Sequence, residues 1–262
     1  MSEILDPLPL YLKNPVSRFS ARASEYAQYR PSYPPEAIAH ILCGLGDFNT
    51  IVAADIGAGT GISANLLAAR GVRVLALEPN AAMKQMATSH PQVQWLEGTA
   101  ETIPLADQSV DLVTAFQAFH WFDLEPTLKE FSRILKPNGR VAIVWNHRDR
   151  QDQFTQAYSQ IFKQASRYNS AMRPRSRRPI TSLLESLDFE NQRHQKFTHH
   201  QALDLTGLVG RTHSASYIPK QGLEAESILK NIRELYHNWK DDRGFVYILY
   251  RTDVYLAELK VK

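Results

Sequence analysis

Two carboxylates and three glycines between residues 51 and 79 are the groups in this chain best spaced to bind a ligand. The run Ile51-Val-Ala-Ala-Asp-Ile-Gly-Ala-Gly-Thr-Gly61 brings four apolar residues up to Asp55, then sets glycines at 57, 59 and 61. Glycine has no Cβ, so such a turn lets backbone amides approach a ligand closely. A dinucleotide loop reads Gly-x-Gly-x-x-Gly. Here the third glycine comes one residue early, and Ile62 stands in its place. A phosphate loop ends in Gly-Lys-Ser/Thr, which Thr60-Gly61-Ile62 lacks. Asp55 puts a negative charge beside the loop, which disfavours a pyrophosphate and favours a ligand carrying an ammonium or a sulfonium. Glu78, which follows the next apolar run, is able to accept both hydroxyls of a ribose. Each acid or glycine alone also reads as ordinary turn chemistry; their conjunction is what points to a ligand.

Other reactive groups follow later apolar runs. Phe119-His-Trp-Phe122 offers His120 as a base candidate, with Trp121 and Phe122 as cavity walls. Arg30 and Arg211 carry planar guanidinium groups suited to a substrate carboxylate. No His, Cys and acid spacing suits a metal, since His199 and His200 are adjacent rather than one helical turn apart. No metal is therefore expected.

The elements that must position these groups alternate. The segment 19–30 reads as a short helix ending at Pro31, and 35–46 as a second. Apolar runs at 50–55, 72–77, 93–96, 110–115 and 141–145 read as five strands. Helices are expected over 61–70, 81–88 (with Asn80 as its cap) and from Leu124 to Leu135, the last stopped by Pro137-Asn-Gly139. Nearly continuous apolar strands alternating with helices imply a parallel sheet covered on both faces. Such sheets bind ligands beyond the carboxyl ends of their strands. After residue 150 the pattern predicts a helix from Phe154 to Phe162, a basic loop and a short helix at 180–187. A strand over 189–197, a glycine- and hydroxyl-rich lid over 202–219, a helix from Ile228 to Trp239 and a last strand over 245–259 complete the chain.

The motifs together resemble those of class I S-adenosylmethionine-dependent methyltransferases. Asp55-Ile-Gly-Ala-Gly-Thr-Gly61 looks like their first motif and Glu78-Pro79 like their second. Gly98-Thr-Ala-Glu-Thr-Ile-Pro104 with Ser109-Val-Asp-Leu-Val113 is similar to their third region, and Arg133-Ile-Leu-Lys-Pro-Asn-Gly139 to the approach to strand five. Tyr26-Ala-Gln-Tyr-Arg-Pro-Ser-Tyr-Pro34 and Phe119-His-Trp-Phe122 further resemble a small-molecule branch that includes trans-aconitate methyltransferase-like proteins. The resemblance implies a Rossmann-like, doubly wound, seven-stranded, mostly parallel α/β sheet with an antiparallel last strand and a helical lid. It implies a lid segment over 1–34, a cofactor-binding core over 35–150 and a C-terminal part over 151–262 that completes the sheet. It implies S-adenosylmethionine as cofactor, with Gly57, Ala58, Gly59, Thr60 and Gly61 bordering its methionyl part and Asp55 holding its amino group, directly or through water. Glu78 would bind the ribose. Pro79 and Met83 would pack near the adenine, with Thr99, Ala100 and Glu101 at its edge. Gln117 and Ala118 would lie near the transferred methyl, and Tyr26 and Arg30 would close over it. Catalysis would involve His120, Trp121 and Arg30, acting on a small-molecule acceptor such as a carboxylate. A protein that binds S-adenosyl ligands without turnover, and an NAD-dependent oxidoreductase, are the competing readings; Ile62 and Asp55 oppose the second.

Composition sets the outer bounds. The chain has 262 residues, a net charge of +3 and one cysteine, Cys43, so a disulfide framework is excluded and a reducing compartment fits. Cys43 is expected to be a small packing residue. No apolar run is long enough for a membrane span, and the N-terminal residues lack the apolar stretch of a signal peptide. A cytoplasmic protein without membrane partners is expected. Between Asp152 and Glu185 there is no acid, while Lys163, Arg167, Arg173, Arg175, Arg177 and Arg178 fall there. That basic stretch reads as a solvated loop or an anion-facing patch. Without an added binding module, nucleic acid is not the expected partner.

Overall fold

The computed structural model describes residues 20, 22–165, 188–215, 218–219 and 221–261. The short helix expected at 180–187 and most of the basic stretch lie outside the described residues. Helices α1 (Ala23–Tyr29) and α2 (Pro35–Leu42) precede strand β1 (Val52–Ile56). Then come α3 (Ile62–Ala68), β2 (Arg73–Leu77), α4 (Ala81–Gln85), β3 (Val93–Leu96) and β4 (Val110–Phe116). A 3-10 turn (Phe119–Trp121) leads to α5 (Leu124–Ile134) and β5 (Leu135–Arg148). The rest is α6 (Gln153–Ala165), β6 (Phe189–Leu203), α7 (Leu205–His213), α8 (Leu223–Trp239) and β7 (Val246–Leu259).

The seven strands form one sheet in the order β3-β2-β1-β4-β5-β7-β6. Strands β1 to β5 pair in parallel, whereas β7 runs antiparallel to both of its neighbours. The period of two along a strand divides the core into two layers. Ala53, Val74 and Leu112 pack with Ile38 and Ile41 of α2 and Leu67 of α3 on one face. Ala54, Leu75 and Val113 pack with Phe131 and Ile134 of α5 on the other. A third cluster joins α6, α7 and α8 to β7 through Tyr158, Leu208, Ile232 and Ile248.

Four local readings change. The Pro137-Asn-Gly139 segment does not separate helix from strand. It is a bulge inside β5, marked by a register shift between the Val110 and Leu112 pairings and by Asn138 at φ 61°. Strand β6 runs six residues beyond its expected end, to Leu203, as the outer edge of the sheet. The glycine- and hydroxyl-rich stretch read as a lid over 202–219 contains a helix, α7, capped by Asp204, whose side chain accepts from the Gly207 amide at 2.7 Å. Cys43 is exposed rather than packed. Its carbonyl and that of Ile41, at the end of α2, accept from Arg140 Nη1 at 2.7 and 2.8 Å, which satisfies helix-end carbonyls that have no partner within the helix. Among the described residues no helix is long and apolar enough to cross a membrane, and no group of His, Cys and acids is placed to hold a metal ion.

Candidate cofactor site

Each parallel strand ends in a turn at the same edge of the sheet, and the turns after β1, β2 and β4 enclose a cavity of about 510 Å³ with the loop at 98–101. Its size falls within the range usual for sites of small ligands and cofactors.

The glycine loop is shaped by close approach. Gly57, Gly59 and Gly61 have φ of 71°, 60° and 81°, the left-handed region that favours glycine. A Cβ on Gly57 would stand 2.7 Å from Ala118 Cβ, so this glycine lets the turns after β1 and β4 touch. The amides of Gly57 and Ala58 both donate to Leu77 O, which ties the loop to the end of β2. Glu78 completes that tie. Its Oε2 accepts from the Gly59 amide at 2.8 Å and its Oε1 from the Asn80 amide at 2.9 Å. Burial raises the Glu78 pKa; the two amides oppose the rise, and the charge of Asp55 adds to it. A carboxylate has about four acceptor positions, so these two bonds leave Glu78 able to accept from a diol in the cavity.

Asp55 is placed differently from expectation. It is completely buried and does not line the cavity. Its Oδ2 accepts from Ser63 Oγ at 2.6 Å and its Oδ1 from Thr114 Oγ1 at 2.7 Å. It therefore pins α3 and β4 to β1 beneath the loop. Desolvation pushes its pKa up to about 6, against the two hydroxyl bonds. Its charge reaches a ligand only through space, in a low-dielectric setting where that field is strong.

Of the other expected site residues, Tyr26, Gly57, Gly59, Glu78, Pro79, Met83, Thr99, Ala100, Glu101, Gln117, Ala118 and Trp121 line the cavity together. Arg30, Ala58, Thr60, Gly61 and His120 do not. Gly61 instead packs under Trp95, whose ring lies 3.0 Å from where a Cβ would be. Arg30 lies over the Tyr26 ring at 4.5 Å and donates through Nη2 to Ser214 O. Arg211 is buried and donates to Tyr250 Oη and Ser214 Oγ. Neither guanidinium faces the cavity. His120 Nδ1 accepts from Trp145 Nε1 at 3.3 Å, which fixes Nδ1 as the unprotonated nitrogen and occupies it. His213 ends α7, and its carbonyl accepts from Arg22.

Phe122 lines the cavity as the wall it was expected to be, and five lining residues were not singled out as site residues: Ile56, Asn80, Gly98, Phe116 and Asp123. Ile56 and Phe116 are the last residues of β1 and β4, so the strand-end rule could have named them. Asn80 was assigned only as a cap, a role it holds by accepting from the Ala82 and Met83 amides. Phe122 and Asp123 are brought in by the 3-10 turn, and the Asp123 amide donates to Glu101 Oε1; no periodicity signals such a fold-back. Among the described residues the lining carries three carboxylates, Glu78, Glu101 and Asp123, and no Lys, Arg or His. The remaining wall is largely aromatic and aliphatic. A cationic ligand with an apolar ring and a diol fits that donor set, and a pyrophosphate does not.

Comparison with known proteins agrees. Residues 54–143 match a family model described as a methyltransferase domain. Over 132 residues the chain is 42% identical to an uncharacterized methyltransferase of Mycobacterium tuberculosis, which covers 50% of this chain and 53% of that one. An uncharacterized methyltransferase of Schizosaccharomyces pombe is 34% identical over 147 residues, covering 55% and 59%. The chain spans about half the length of the curated relatives it matches. Among solved structures, an Anaeromyxobacter dehalogenans protein provisionally described as a type II methyltransferase shares the fold, with a TM-score of 0.68 at 21% identity, over 89% of this chain and 100% of that one. Over residues 54–143 the chain is thus similar to a methyltransferase domain, on a fold shared with the solved structure.

Proposed function

We propose that the protein transfers a methyl group from S-adenosylmethionine to a small-molecule acceptor that is already ionised, such as a carboxylate. The observation that carries the donor half of this reading is the cavity lining: among the described residues it has three carboxylates and no cationic side chain, set at the glycine turn of a segment that matches a methyltransferase domain. Bound there, S-adenosylmethionine would supply a methyl group activated by its positive sulfur. Glu78 would accept from the ribose hydroxyls while still holding the Gly59 amide. Pro79, Met83 and Ala100 would flank the adenine, and Glu101 would accept at its edge. Gln117, Ala118 and Trp121 would wall the methyl end.

In-line displacement asks the protein for alignment and exclusion of water, since the leaving group is already activated. A base is required only for a poorly ionised nucleophile. His120 offers no free nitrogen at Nδ1 and does not line the cavity, which favours an acceptor that needs no deprotonation.

Calorimetry with S-adenosylhomocysteine and with NADH tests the donor half. Binding of the first and not the second is expected; no binding of either S-adenosyl ligand rejects the reading. A methyl-transfer screen over carboxylic acids, amines and phenols, read by release of S-adenosylhomocysteine, tests the acceptor. Turnover with phenols alone would overturn the ionised-acceptor reading. Binding without turnover on any acceptor class would favour a protein that only senses the ligand.

A further inference from the structure

Gln117 lines the cavity, at what the proposed function makes its methyl end, with φ 56°, a left-handed conformation unusual for a residue with a long side chain. Such strain persists only where the surroundings hold it. The Gln117 backbone amide donates to Val144 O at 2.9 Å, and its side chain is held by Asn146, near the end of β5. Its backbone carbonyl accepts from Gln117 Nε2 at 2.8 Å. Its side chain faces two other elements. Nδ2 donates to Ser32 O at 2.9 Å, in the linker between α1 and α2. Oδ1 accepts from the hydroxyl of Thr252, a fully buried residue of β7, at 2.6 Å. The linker and α1 are the part of the chain that brings Tyr26 to the cavity and Tyr33 against Phe116, with ring centroids 4.7 Å apart.

One residue therefore ties the lid, the strained cavity residue and the last strand together. We propose that Asn146 is a positioning residue: it sets Gln117 at the methyl end according to whether the α1 lid is seated. The inference rests on the proposed cofactor site. A seated lid leaves Ser32 O in reach of Asn146, which fixes the β5 end and, through the Asn146 carbonyl, the Gln117 amide. Loss of the Ser32 bond loosens the linker and, with it, the β5 end whose carbonyl holds the Gln117 amide, while the Gln201, Arg22 and Arg30 contacts of α1 remain.

Asn146→Asp isolates the tether. The carboxylate keeps the acceptor for Thr252 but has no hydrogen to give Ser32 O. Hydrogen exchange of residues 22–33, measured with and without S-adenosylhomocysteine, reads the lid directly, and calorimetry reads affinity. The wild type is expected to gain protection in 22–33 on binding. The variant is expected to lose that gain and to bind about tenfold more weakly, a change of about 1.4 kcal/mol. A merely structural role would lower the melting temperature and leave the ligand-induced protection intact. Asn146→Ala, which adds no buried charge and keeps the backbone carbonyl, reads the same exchange should the Asp variant unfold. Wild-type affinity and wild-type protection in a folded variant overturn the inference alone. Absence of S-adenosylhomocysteine binding by the wild type overturns the cofactor reading, and this inference with it.

Discussion

Replacing Asp55 by Asn is expected to make the protein more stable at neutral pH and poorer at binding its ligand. The Asp55 carboxyl is fully buried, and desolvation raises its pKa to about 6 from an ordinary 3.8. A carboxylate pKa raised in the folded state means that the folded form holds its proton longer than the unfolded form does. The associated stability is therefore complete below about pH 4 and is lost as pH rises through about 6. About two pH units at about 1.4 kcal/mol each give a loss of ~3 kcal/mol, of which ~2–3 kcal/mol falls between pH 4 and pH 7. Asn has the same shape and does not titrate. Its amide can still bond both hydroxyls, accepting from one and donating to the other after that hydroxyl turns. The static effect of the swap is the same at each pH, so it drops out of the change with pH of the difference between variant and wild type. Urea unfolding from pH 4 to pH 7 should show the stability difference, variant minus wild type, growing by ~2–3 kcal/mol in favour of the variant. The same substitution removes a buried negative charge from beneath the proposed cofactor site, so binding of S-adenosylmethionine, whose sulfur is cationic, should weaken about tenfold at pH 7. A stability difference that stays flat across that pH range refutes the reasoning about burial. Unchanged affinity refutes the claim that the charge acts on the ligand through space.

Glu78→Gln should weaken binding of S-adenosylhomocysteine by about tenfold to a hundredfold, since one acceptor oxygen becomes a donor and the charge is lost; a far-ultraviolet melting curve close to wild type would separate this from unfolding. Gly57→Ala forces a Cβ to within 2.7 Å of Ala118 Cβ at a φ of 71°, and a loss of at least about 2 kcal/mol in urea unfolding is expected from overpacking plus strain. Gly210→Ala drives a Cβ into the Tyr29 ring, so α1 should be displaced from α7, with faster exchange of residues 22–33 and only a small change in the global unfolding transition. Wild-type exchange there would refute the docking of α1 against Gly210.

The parallel half of the sheet was legible because its strands are buried apolar runs and its site lies at their ends, as the fold requires. The direction of Asp55 was legible too, but was not read. The period of two puts Asp55 on the Ala53 face, under α3, and Ser63 opens that helix facing back toward it. Other features carry no such signal. Helix α7 contains Gly207 and Gly210, which argue against a helix by propensity. Gly210 is there because the Tyr29 ring occupies the space a side chain would fill, and that contact spans most of the chain. The added length of β6 runs through Thr198-His-His-Gln201, polar residues tolerated on an edge strand and giving little alternation to detect. The bulge in β5 looks like a stop because Pro-Asn-Gly is turn chemistry wherever it falls.

The site has two halves with different origins in the chain. Glu78, Glu101 and the glycine turn belong to the 54–143 segment that matches the methyltransferase domain. Tyr26, Tyr33 and the linker that would meet the acceptor lie before it, and the groups that pin them lie after it: Asn146 and Gln201 hold the Ser32 and Tyr29 carbonyls, and Arg22 and Arg30 reach carbonyls at and after the end of α7. On the proposed function, the donor groups fall where the family match is, and the α1 side of the acceptor pocket falls outside it. Shape, rather than charge, should set the choice of acceptor, because the guanidinium groups of Arg30 and Arg211 are directed to the protein's own carbonyl and hydroxyl oxygens. Substitutions at Tyr26 should accordingly alter which acceptors turn over while leaving the affinity for S-adenosylhomocysteine within a few fold, and a Tyr26→Phe series of acceptor rates against calorimetric affinity would show whether the two halves separate in this way.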